Sequence, residues 1–431
     1  MRILHTSDWH LGQHFMGKSR QAEHQALIDW LLQQVQAHAV DAVLVAGDLF
    51  DTGTPPSYAR ELYSQCVVRL HEAGVPLLLL GGNHDSVAML RENQSLLACL
   101  GATVVPSVLG EGAEALVELP QRASAAPAVS DDPTPDLFAV PQGTGAPGCL
   151  VCAIPYLRAR DLLQSQAGQS AEDKQADLQQ AIQAYYERVY QAALQRQADW
   201  LARTGQRVPI IATGHLTTVG ASASESVREI YVGALEAFPT RAFPPADYIA
   251  LGHIHRPQKV GGLDHIRYSG SPLALSFDEA RQRKEVLLVD LDARGLRAVT
   301  ALPVPVFQPL MALRGSLSEL PAALAEAAQA GRPDSPVWLE VTVTEDDYLS
   351  DLPQRLQALT EGLPVELLRL RRERGTASAR LSAQARETLD ELSPQEVFAR
   401  RLQQETQSPE WQQALSQRYQ QVLSQLQEGA A

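Results

Sequence analysis

Cysteine, aromatic residues and long apolar runs are all scarce in this sequence. Four of its 431 residues are cysteine and 6% are aromatic, which argues against a small secreted fold held together by disulfides. No apolar run approaches the roughly 18 residues that would suggest a membrane helix. The first residues also lack the basic and apolar regions of a secretory signal. We therefore expect a cytoplasmic protein.

Positive charge is also in short supply. The chain has 36 lysines and arginines against 50 acidic residues, a net charge of −14. This argues against a protein that grips nucleic acid with its whole surface. It does not exclude a local basic groove, or a partner subunit that supplies most of the phosphate contacts. The length predicts two or three domains.

Two of the cysteines, Cys149 and Cys152, form a Cys-x-x-Cys motif. The residues around them resemble a β-strand, in which positions three apart point to opposite faces. A structural zinc would need a second such pair. We expect both thiols to be buried as small apolar groups.

Five short apolar runs each end in residues that bind metals. They lead to Asp8 and His10, to Asp48 in Gly-Asp-x-x-Asp, to Asn83-His84-Asp85, to His215, and to His253 and His255. Buried strands that deliver such residues at their carboxyl ends are where an open α/β sheet builds its site. The residues offer imidazole and oxygen but no thiolate, which favours a hydrolytic pair of divalent metals over structural zinc.

The segments between these runs predict an α/β fold. Helical spacing is present at residues 23–35, from the Pro55-Pro56-Ser57 segment onward, and at residues 87–100. The resulting strand–helix alternation predicts largely parallel pairing. Residues 120–148 are rich in Ala, Pro, Ser and Gly and predict a surface loop, and residues 158–204 predict one or two long helices.

Composition divides the remainder of the chain. A strand over residues 286–291 closes a first domain that we place at residues 1–300. Residues 301–372 read as a small α+β domain, with strands at 337–343 and 365–370 around a helix. Residues 373–392 are charged and resemble a linker.

Residues 393–428 predict a helical tail. Ser393-Pro394-Gln395-Glu396 satisfies a capping box with proline at the first helical position, and Ser408-Pro409 begins a second helix. The spacing of the apolar residues predicts a buried face, which either packs on the same chain or docks on a partner. Those residues are Phe398, Leu402, Trp411, Leu415, Tyr419, Val422 and Leu426.

The five runs together suit phosphoester hydrolysis. That reaction needs an activated water and neutralised phosphoryl oxygens, and two metals about 3.5–4 Å apart supply both. Asp8 and His10, two apart, can share one metal, and Asp48 on a neighbouring strand end is well placed to bridge two. The candidate ligands are Asp8, His10, Asp48, Asn83, His215, His253 and His255.

His84 remains after these ligands are counted. It adjoins Asn83 and is followed by Asp85, which we expect to fix the tautomer of the ring. A histidine beside two metals is a candidate general acid for the leaving oxygen. By contrast, His5 in the first strand and His24 in a helix are expected to be structural.

The order Asp-x-His, Gly-Asp-x-x-Asp, Gly-Asn-His-Asp, Gly-His and Gly-His-x-His resembles that of the calcineurin-like metallophosphoesterases. Longer segments resemble the SbcD family within them, the nuclease subunits of bacterial SbcCD complexes. The segments are residues 5–12, 46–53, 55–60, 212–218, 250–255, 268–272 and 392–398.

The resemblance implies an architecture. Residues 1–300 would form a four-layer α/β/β/α nuclease domain, and residues 301–372 a capping domain that contacts DNA. After the linker at 373–392, the tail at 393–428 would bind the coiled-coil base of the ATPase SbcC, in a heterotetramer that contains a homodimer. For the tail, this favours docking on a partner.

The resemblance also implies roles for the site residues. His84 would be catalytic, with Asp85 as its support. Two manganese ions, or magnesium in their place, would be bound. One would be held by Asp8, His10, Asp48 and His255, and the other by Asp48, Asn83, His215 and His253.

The implied activity is a DNA nuclease that acts with SbcC in DNA end and hairpin processing, replication and recombination. It would be a 3′-to-5′ exonuclease on duplex DNA and an endonuclease on single strands and hairpins. A phosphatase or small-molecule phosphodiesterase on the same fold stays open, because a fold does not fix its substrate. The intact ligands argue against a non-catalytic scaffold.

Four basic residues are candidates for DNA contacts: Arg256, Arg281, Arg283 and Lys284. Arg256 ranks first because it directly follows the last ligand. A run of charge such as residues 281–284 is more often a solvated face.

Overall fold

A computed structural model of the chain describes most of its first 373 residues. The described residues are 1–110, 112–121, 147–163, 170–224, 226–227, 237–344 and 351–373, together with 415 and 418. The predicted loop at 120–148 therefore lies largely outside the described residues, as does most of the predicted linker and tail.

The described residues form strands and helices in the following order. The strands are β1 (Arg2–Thr6), β2 (His14–Phe15), β3 (Lys18–Ser19), β4 (Ala42–Val45), β5 (Leu77–Leu80), β6 (Ala102–Val105), β7 (Leu116–Pro120), β8 (Pro147–Cys152), β9 (Ile210–His215), β10 (Tyr248–Gly252), β11 (Gln258–Val260), β12 (Leu263–Tyr268), β13 (Glu285–Asp292), β14 (Gly295–Pro303), β15 (Leu310–Gly315), β16 (Val337–Val343) and β17 (Val365–Arg372). The helices are α1 (Gln21–Ala37), α2 (Ser57–Glu72), α3 (Val87–Glu92), α4 (Gln94–Cys99), α5 (Ala159–Leu162), α6 (Ala171–Thr204), α7 (Leu320–Ala328) and α8 (Leu352–Thr360). None of these helices has the length and apolar character needed to cross a membrane.

Two six-stranded sheets form the larger part of the molecule. The first has the order β14-β13-β1-β4-β5-β6, and the second has the order β11-β12-β10-β9-β8-β7. Strands β1, β4, β5 and β6 run parallel, as do β12, β10, β9 and β8. Antiparallel strands lie toward the edges. The prediction of an α/β fold with parallel pairing is confirmed.

Three hydrophobic cores arrange these sheets in four layers. Leu78 of β5 and Ile211 of β9 belong to the core between the two sheets. Leu31 of α1 packs on the outer face of the first sheet, and Tyr186 of α6 packs on the outer face of the second. Parallel strands buried on both faces read as continuous apolar runs, which is why the five runs in the sequence are not alternating.

Strand β8 shows how the alternation of side chains places the two cysteines. Cys149 faces the core between the sheets, and Cys152 faces α6 on the other side of the same sheet. Burial raises the pKa of the Cys152 thiol to about 12. Both cysteines are free and buried, so the prediction of two apolar thiols on opposite faces is confirmed.

Some predicted elements differ in detail. The single helix expected over residues 87–100 is two short helices, α3 and α4, because Asn93 between them has φ −114° and ψ 19°. Asparagine favours such breaks because its side chain competes for backbone hydrogen bonds. Strand β14 was not predicted, since most of its residues are partly or fully exposed and give no apolar pattern.

A third sheet follows the first two. Strands β15, β16 and β17 pair in parallel, with α7 and α8 packed on one face. The sequence predicted β16, α8 and β17 but not β15 and α7. On the other face, the ring of Trp338 stacks on Phe15 with the centroids 5.7 Å apart. Phe15 lies in the β2–β3 hairpin, a few residues after His10, so this hairpin joins the third sheet to the loop that follows β1.

Leu78 tests the core between the sheets. Its side chain is 0% exposed, so Leu78→Ala removes buried contacts and leaves a cavity. We expect the free energy of unfolding to fall by about 2–5 kcal/mol. Urea denaturation followed by circular dichroism measures this. Leu201→Ala on α6, where the side chain is 48% exposed, is the matched control and should change it by about 0.5 kcal/mol or less. Equal losses in the two variants would contradict this description of the core.

Candidate metal centre

The loops that follow β1, β4 and β5 of the first sheet meet the ends of β9 and β10 of the second; together they are called the five-loop site. Within the first sheet, the N–H of Asp8 donates to the carbonyl of Gly47 at 3.0 Å. Between the sheets, the N–H of His253 donates to Asp8 Oδ1 at 3.0 Å. The structure therefore brings together all seven ligands proposed from the sequence.

Three groups of these side chains could each hold a cation, because their ligand atoms lie within 4.8 Å of one another. The groups are Asp8-His10-His255, His10-Asp48-His84 and Asp48-His215-His253. Asp48 and His10 each belong to two groups, so the groups interlock. Asn83 joins the third group, with Oδ1 2.9 Å from His215 Nε2. A shared carboxylate between adjacent groups is what a two-metal site needs.

Backbone strain is concentrated at the same residues. Asp8, His10, Asp48 and His253 have φ of 53°, 46°, 50° and 92°, a region that costs a residue other than glycine on the order of 1–3 kcal/mol. Gly47 has φ 93°, and a Cβ there would lie 2.2 Å from His215 Nδ1. Strain of this kind persists where the surrounding structure enforces it, which is typical of functional sites.

Second hydrogen bonds orient two of the imidazoles. His215 Nδ1 donates to the carbonyl of Ala46 at 2.9 Å, so Nε2 faces Asp48 Oδ2 at 3.2 Å. His10 Nδ1 lies 3.2 Å from Asp51 Oδ1, and its Nε2 lies 3.7 Å from Asp48 Oδ2. Histidines that bind metals use their other ring N–H in this way. Sequence reasoning gave Asp51 no role, although it is the second aspartate of Gly-Asp-x-x-Asp.

Charge in the site is balanced between carboxylates and imidazoles. Burial raises the pKa of the Asp48 carboxyl, but His215, His10 and His84 more than offset this and hold it well below its usual range. Burial lowers the pKa of His215, but Asp48 and Asp8 raise it to about 9. Metal binding releases protons from such ligands. His10 Nε2 is buried without a hydrogen-bond partner, so the donors fit a divalent cation.

His84 is positioned by Asp51 rather than by its neighbour in sequence. Its Nδ1 lies 2.7 Å from the backbone carbonyl of Asp51. A carbonyl only accepts, so Nδ1 carries the hydrogen and proton transfer by this ring takes place at Nε2. The ring lies edge-on to His10, with the centroids 4.7 Å apart.

Asp85 has a task other than the expected one of fixing the His84 tautomer. Its carboxylate accepts from the backbone N–H groups of Leu49, Phe50 and Gly82 at 3.2, 3.0 and 2.8 Å. Burial and the nearby charge of Asp48 raise its pKa to about 6, against the lowering effect of these three donors. Asp85 therefore joins the loops that follow β4 and β5. Arg158, which the sequence did not single out, donates to the backbone carbonyl of Asp85 at 3.2 Å.

The basic residues proposed for DNA contacts divide into two kinds. Arg256, Arg281 and Arg283 are exposed and stay candidates. Lys284 is 7% exposed, and its ammonium donates to Glu279 at 2.7 Å and to the carbonyl of His255 at 2.9 Å. The prediction that Lys284 contacts DNA is wrong, because its charge is directed into the protein.

The predicted partner-binding tail is barely represented in the described residues. Leu415 is helical there. Phe398, Leu402, Trp411, Tyr419, Val422 and Leu426 lie outside the described residues, and their contact with a partner stays a prediction.

Comparison with known proteins gives consistent matches. Residues 1–140 match the calcineurin-like phosphoesterase family, and residues 306–406 match the type 5 capsule protein repressor C-terminal domain. The D component of the nuclease SbcCD of Escherichia coli K12 is 50% identical over 93% of this chain and 92% of that protein. Its counterpart in Rhodobacter capsulatus is 33% identical over 93% of this chain and 94% of that protein. The counterpart in Bacillus subtilis is 29% identical over 81% of each chain.

Two histidines next to these elements are buried in the manner of structural residues. Burial lowers the pKa of His5 to about 3, against a hydrogen bond with the Leu251 backbone. Burial, with the charge of Arg20, lowers the pKa of His24 to about 3. Both rings are therefore neutral in the folded protein. Neither belongs to the groups of possible metal ligands among the described residues.

His24→Leu should reduce the pH dependence of stability. The unfolded chain binds a proton at His24 below about pH 6.5, whereas the folded protein does so only near pH 3, so stability is lost as pH falls through this window. The variant should lower the slope by up to about 1.4 kcal/mol per pH unit. Urea denaturation at several pH values measures it. Leu31→Ala on the same helix should reduce stability without changing the slope, and an unchanged slope in His24→Leu would contradict the assignment.

Proposed function

Because this chain belongs to the SbcD family of SbcCD nuclease components within the calcineurin-like phosphoesterases, we propose that it hydrolyses DNA phosphodiester bonds at the five-loop site. The observation that carries this proposal is the interlocked set of ligand atoms that share Asp48 and His10. Buried imidazoles and carboxylates in such a set suit two adjacent divalent cations.

We assign the cations to manganese, with magnesium able to take the same positions. Two such ions, when bound, lower the pKa of a water molecule and neutralise charge on the phosphoryl oxygens. One would be held by Asp8, His10, Asp48 and His255, and the other by Asp48, Asn83, His215 and His253. The buried Nε2 of His10 without a hydrogen-bond partner and the strained backbone of Asp8 and Asp48 support this assignment.

His84 is the proposed proton donor to the leaving oxygen. The Asp51 carbonyl holds its Nδ1–H, which fixes the ring and directs proton transfer through Nε2. Its backbone N–H also donates to Asp48 Oδ1 at 2.9 Å, so the loop that carries His84 is tied to the carboxylate shared by two ligand groups. Proton transfer by a positioned histidine contributes about 10²–10⁴-fold to a rate.

The substrate and partner follow from the names of the relatives, which are components of SbcCD nucleases. We propose 3′-to-5′ exonuclease activity on duplex ends and endonuclease activity on single strands and hairpins, in DNA end processing, replication and recombination. Residues 301–372 would cap the site. The tail at 393–428, beyond the linker at 373–392, would bind the coiled-coil base of SbcC in a heterotetramer built on a homodimer. The net charge of −14 suits a complex in which SbcC supplies many phosphate contacts.

His84→Ala should abolish most cleavage while metal binding persists. We expect the rate on a labelled DNA hairpin, with manganese and purified SbcC, to fall by about 10²–10⁴-fold. Calorimetric titration with manganese should show the same number of bound ions as in the unaltered protein.

His71→Ala on α2 is the control and should cleave normally. Normal cleavage by His84→Ala would remove His84 from the catalytic role. Failure of the unaltered complex to cut DNA, combined with turnover of phosphomonoesters, would favour a phosphatase on this fold.

Arg256→Ala should weaken DNA binding, because the exposed guanidinium directly follows the ligand His255. Loss of one phosphate contact should reduce the slope of log K against log salt by about 0.9. Fluorescence anisotropy of duplex DNA at several salt concentrations measures both effects. Arg294→Ala is the matched control, since β13 runs antiparallel to β1 and carries this exposed arginine to the opposite edge of the sheet. Equal slopes in the two variants would remove Arg256 from the interface.

A further inference from the structure

A buried carboxylate that no motif predicts lies beside the five-loop site. Glu279 is 0% exposed and follows a single turn after Ser276. One oxygen accepts from Lys284 Nζ at 2.7 Å and from the N–H of Leu275 at 3.0 Å. The other accepts from Ser224 Oγ at 2.6 Å and from Ser226 Oγ. Glu279 is thus the centre of a hydrogen-bond network drawn from several segments of the chain.

This network ends on the ligand His255. His255 Nδ1 lies 2.6 Å from Ser226 Oγ and 3.3 Å from Glu279 Oε1. A hydroxyl group can accept one hydrogen bond while it donates another. The Ser226 hydroxyl therefore accepts from His255 Nδ1–H and donates to Glu279. With the hydrogen on Nδ1, the Nε2 lone pair is the one that binds a cation.

The charges around Glu279 are consistent with an ionised carboxylate. Burial raises its pKa, but the hydrogen bond with His255 and the charge of Lys284 lower it far below its usual range. Lys284 is itself buried and also donates to the carbonyl of His255. Both ends of the ion pair thus contact His255. A buried pair of this kind costs desolvation energy and is weak evidence for stability alone, which favours a role in positioning.

The other ligands on this side of the site show the same arrangement. His10 Nδ1 faces the Asp51 carboxylate, and His215 Nδ1 faces the Ala46 carbonyl. Histidine ligands in metal sites use such contacts to fix the tautomer and the ring orientation, and loss of one typically costs about 10–100-fold in metal affinity or activity. Glu279 with Ser226 completes the set for His255.

We propose that Glu279 is a positioning residue for His255 and sets the affinity of the cation held by Asp8, His10 and His255. This inference rests on the metal-dependent function proposed above. Glu279 acts through the Ser226 hydroxyl and by direct contact with Nδ1, and it does not touch the substrate.

Glu279→Gln tests the inference through metal binding rather than cleavage. The amide keeps the size of the side chain and removes its charge. In a calorimetric titration of the full chain with manganese, we expect one of two binding events to weaken by about 10–100-fold and the other to stay unchanged. Electron paramagnetic resonance at two equivalents should lose the signal of a coupled manganese pair and gain that of a single ion.

Glu23→Gln is the matched control. Glu23 is 8% exposed and pairs with the buried Arg20 at 2.7 Å, so its loss also breaks a buried ion pair, but one on α1. It should reduce stability while both manganese affinities persist. Ser226→Ala provides a second variant that keeps the Glu279–Lys284 pair. It should weaken the same binding event, so the inference remains testable if Glu279→Gln does not fold.

The outcomes separate this inference from the proposed function. Two unchanged manganese affinities in Glu279→Gln or Ser226→Ala would overturn the role of Glu279 and leave the nuclease proposal intact. Absence of manganese binding by the unaltered protein would overturn both.

Discussion

The rest of the site depends on one buried carboxylate, that of Asp48, at the junction of two sheets. Asp48 is 1% exposed, and an isolated charge in such a place is strongly destabilising. The imidazoles of His215 and His10 and the backbone N–H of His84 surround it and offset this cost. These partners come from four different loops. The balance of charge around Asp48 therefore determines how closely the loops approach, and that approach is what creates a pair of adjacent cation positions.

Close approach of the backbones accounts for features that side-chain chemistry alone does not explain. A Cβ at Gly252 would lie 1.9 Å from the carbonyl oxygen of Ala46, so the two sheets meet backbone to backbone just before His253. His253 then takes a φ of 92° and donates its N–H to Asp8. Strain at the ligands is the consequence of bringing strand ends from two sheets to one point, and the extensive core between the sheets holds them there.

The sequence predicted the ligands well and their supports poorly, for a physical reason. Each ligand directly follows or ends a buried strand, so local spacing and the parallel topology together indicate one site. The supports come from distant positions: Asp51 contacts His10 from 41 residues away, and Glu279 contacts His255 from 24 residues away. Lys284 follows exposed arginines, and only the three-dimensional packing shows that its side chain turns inward. Likewise, β14 lacked an apolar pattern because little of it is buried.

The segment that carries Glu279 also serves the third sheet. Two residues earlier, Phe277 packs edge-on against Phe15 with the centroids 5.0 Å apart, in the same cluster as Trp338 of β16. The guanidinium of Arg369 on β17 lies 5.5 Å from the centre of the Phe277 ring. A single turn thus holds the third sheet on one side and the ligand His255 on the other. Because one turn supports both contacts, the position of the third sheet and the geometry of the metal ligands are linked through side chains two residues apart.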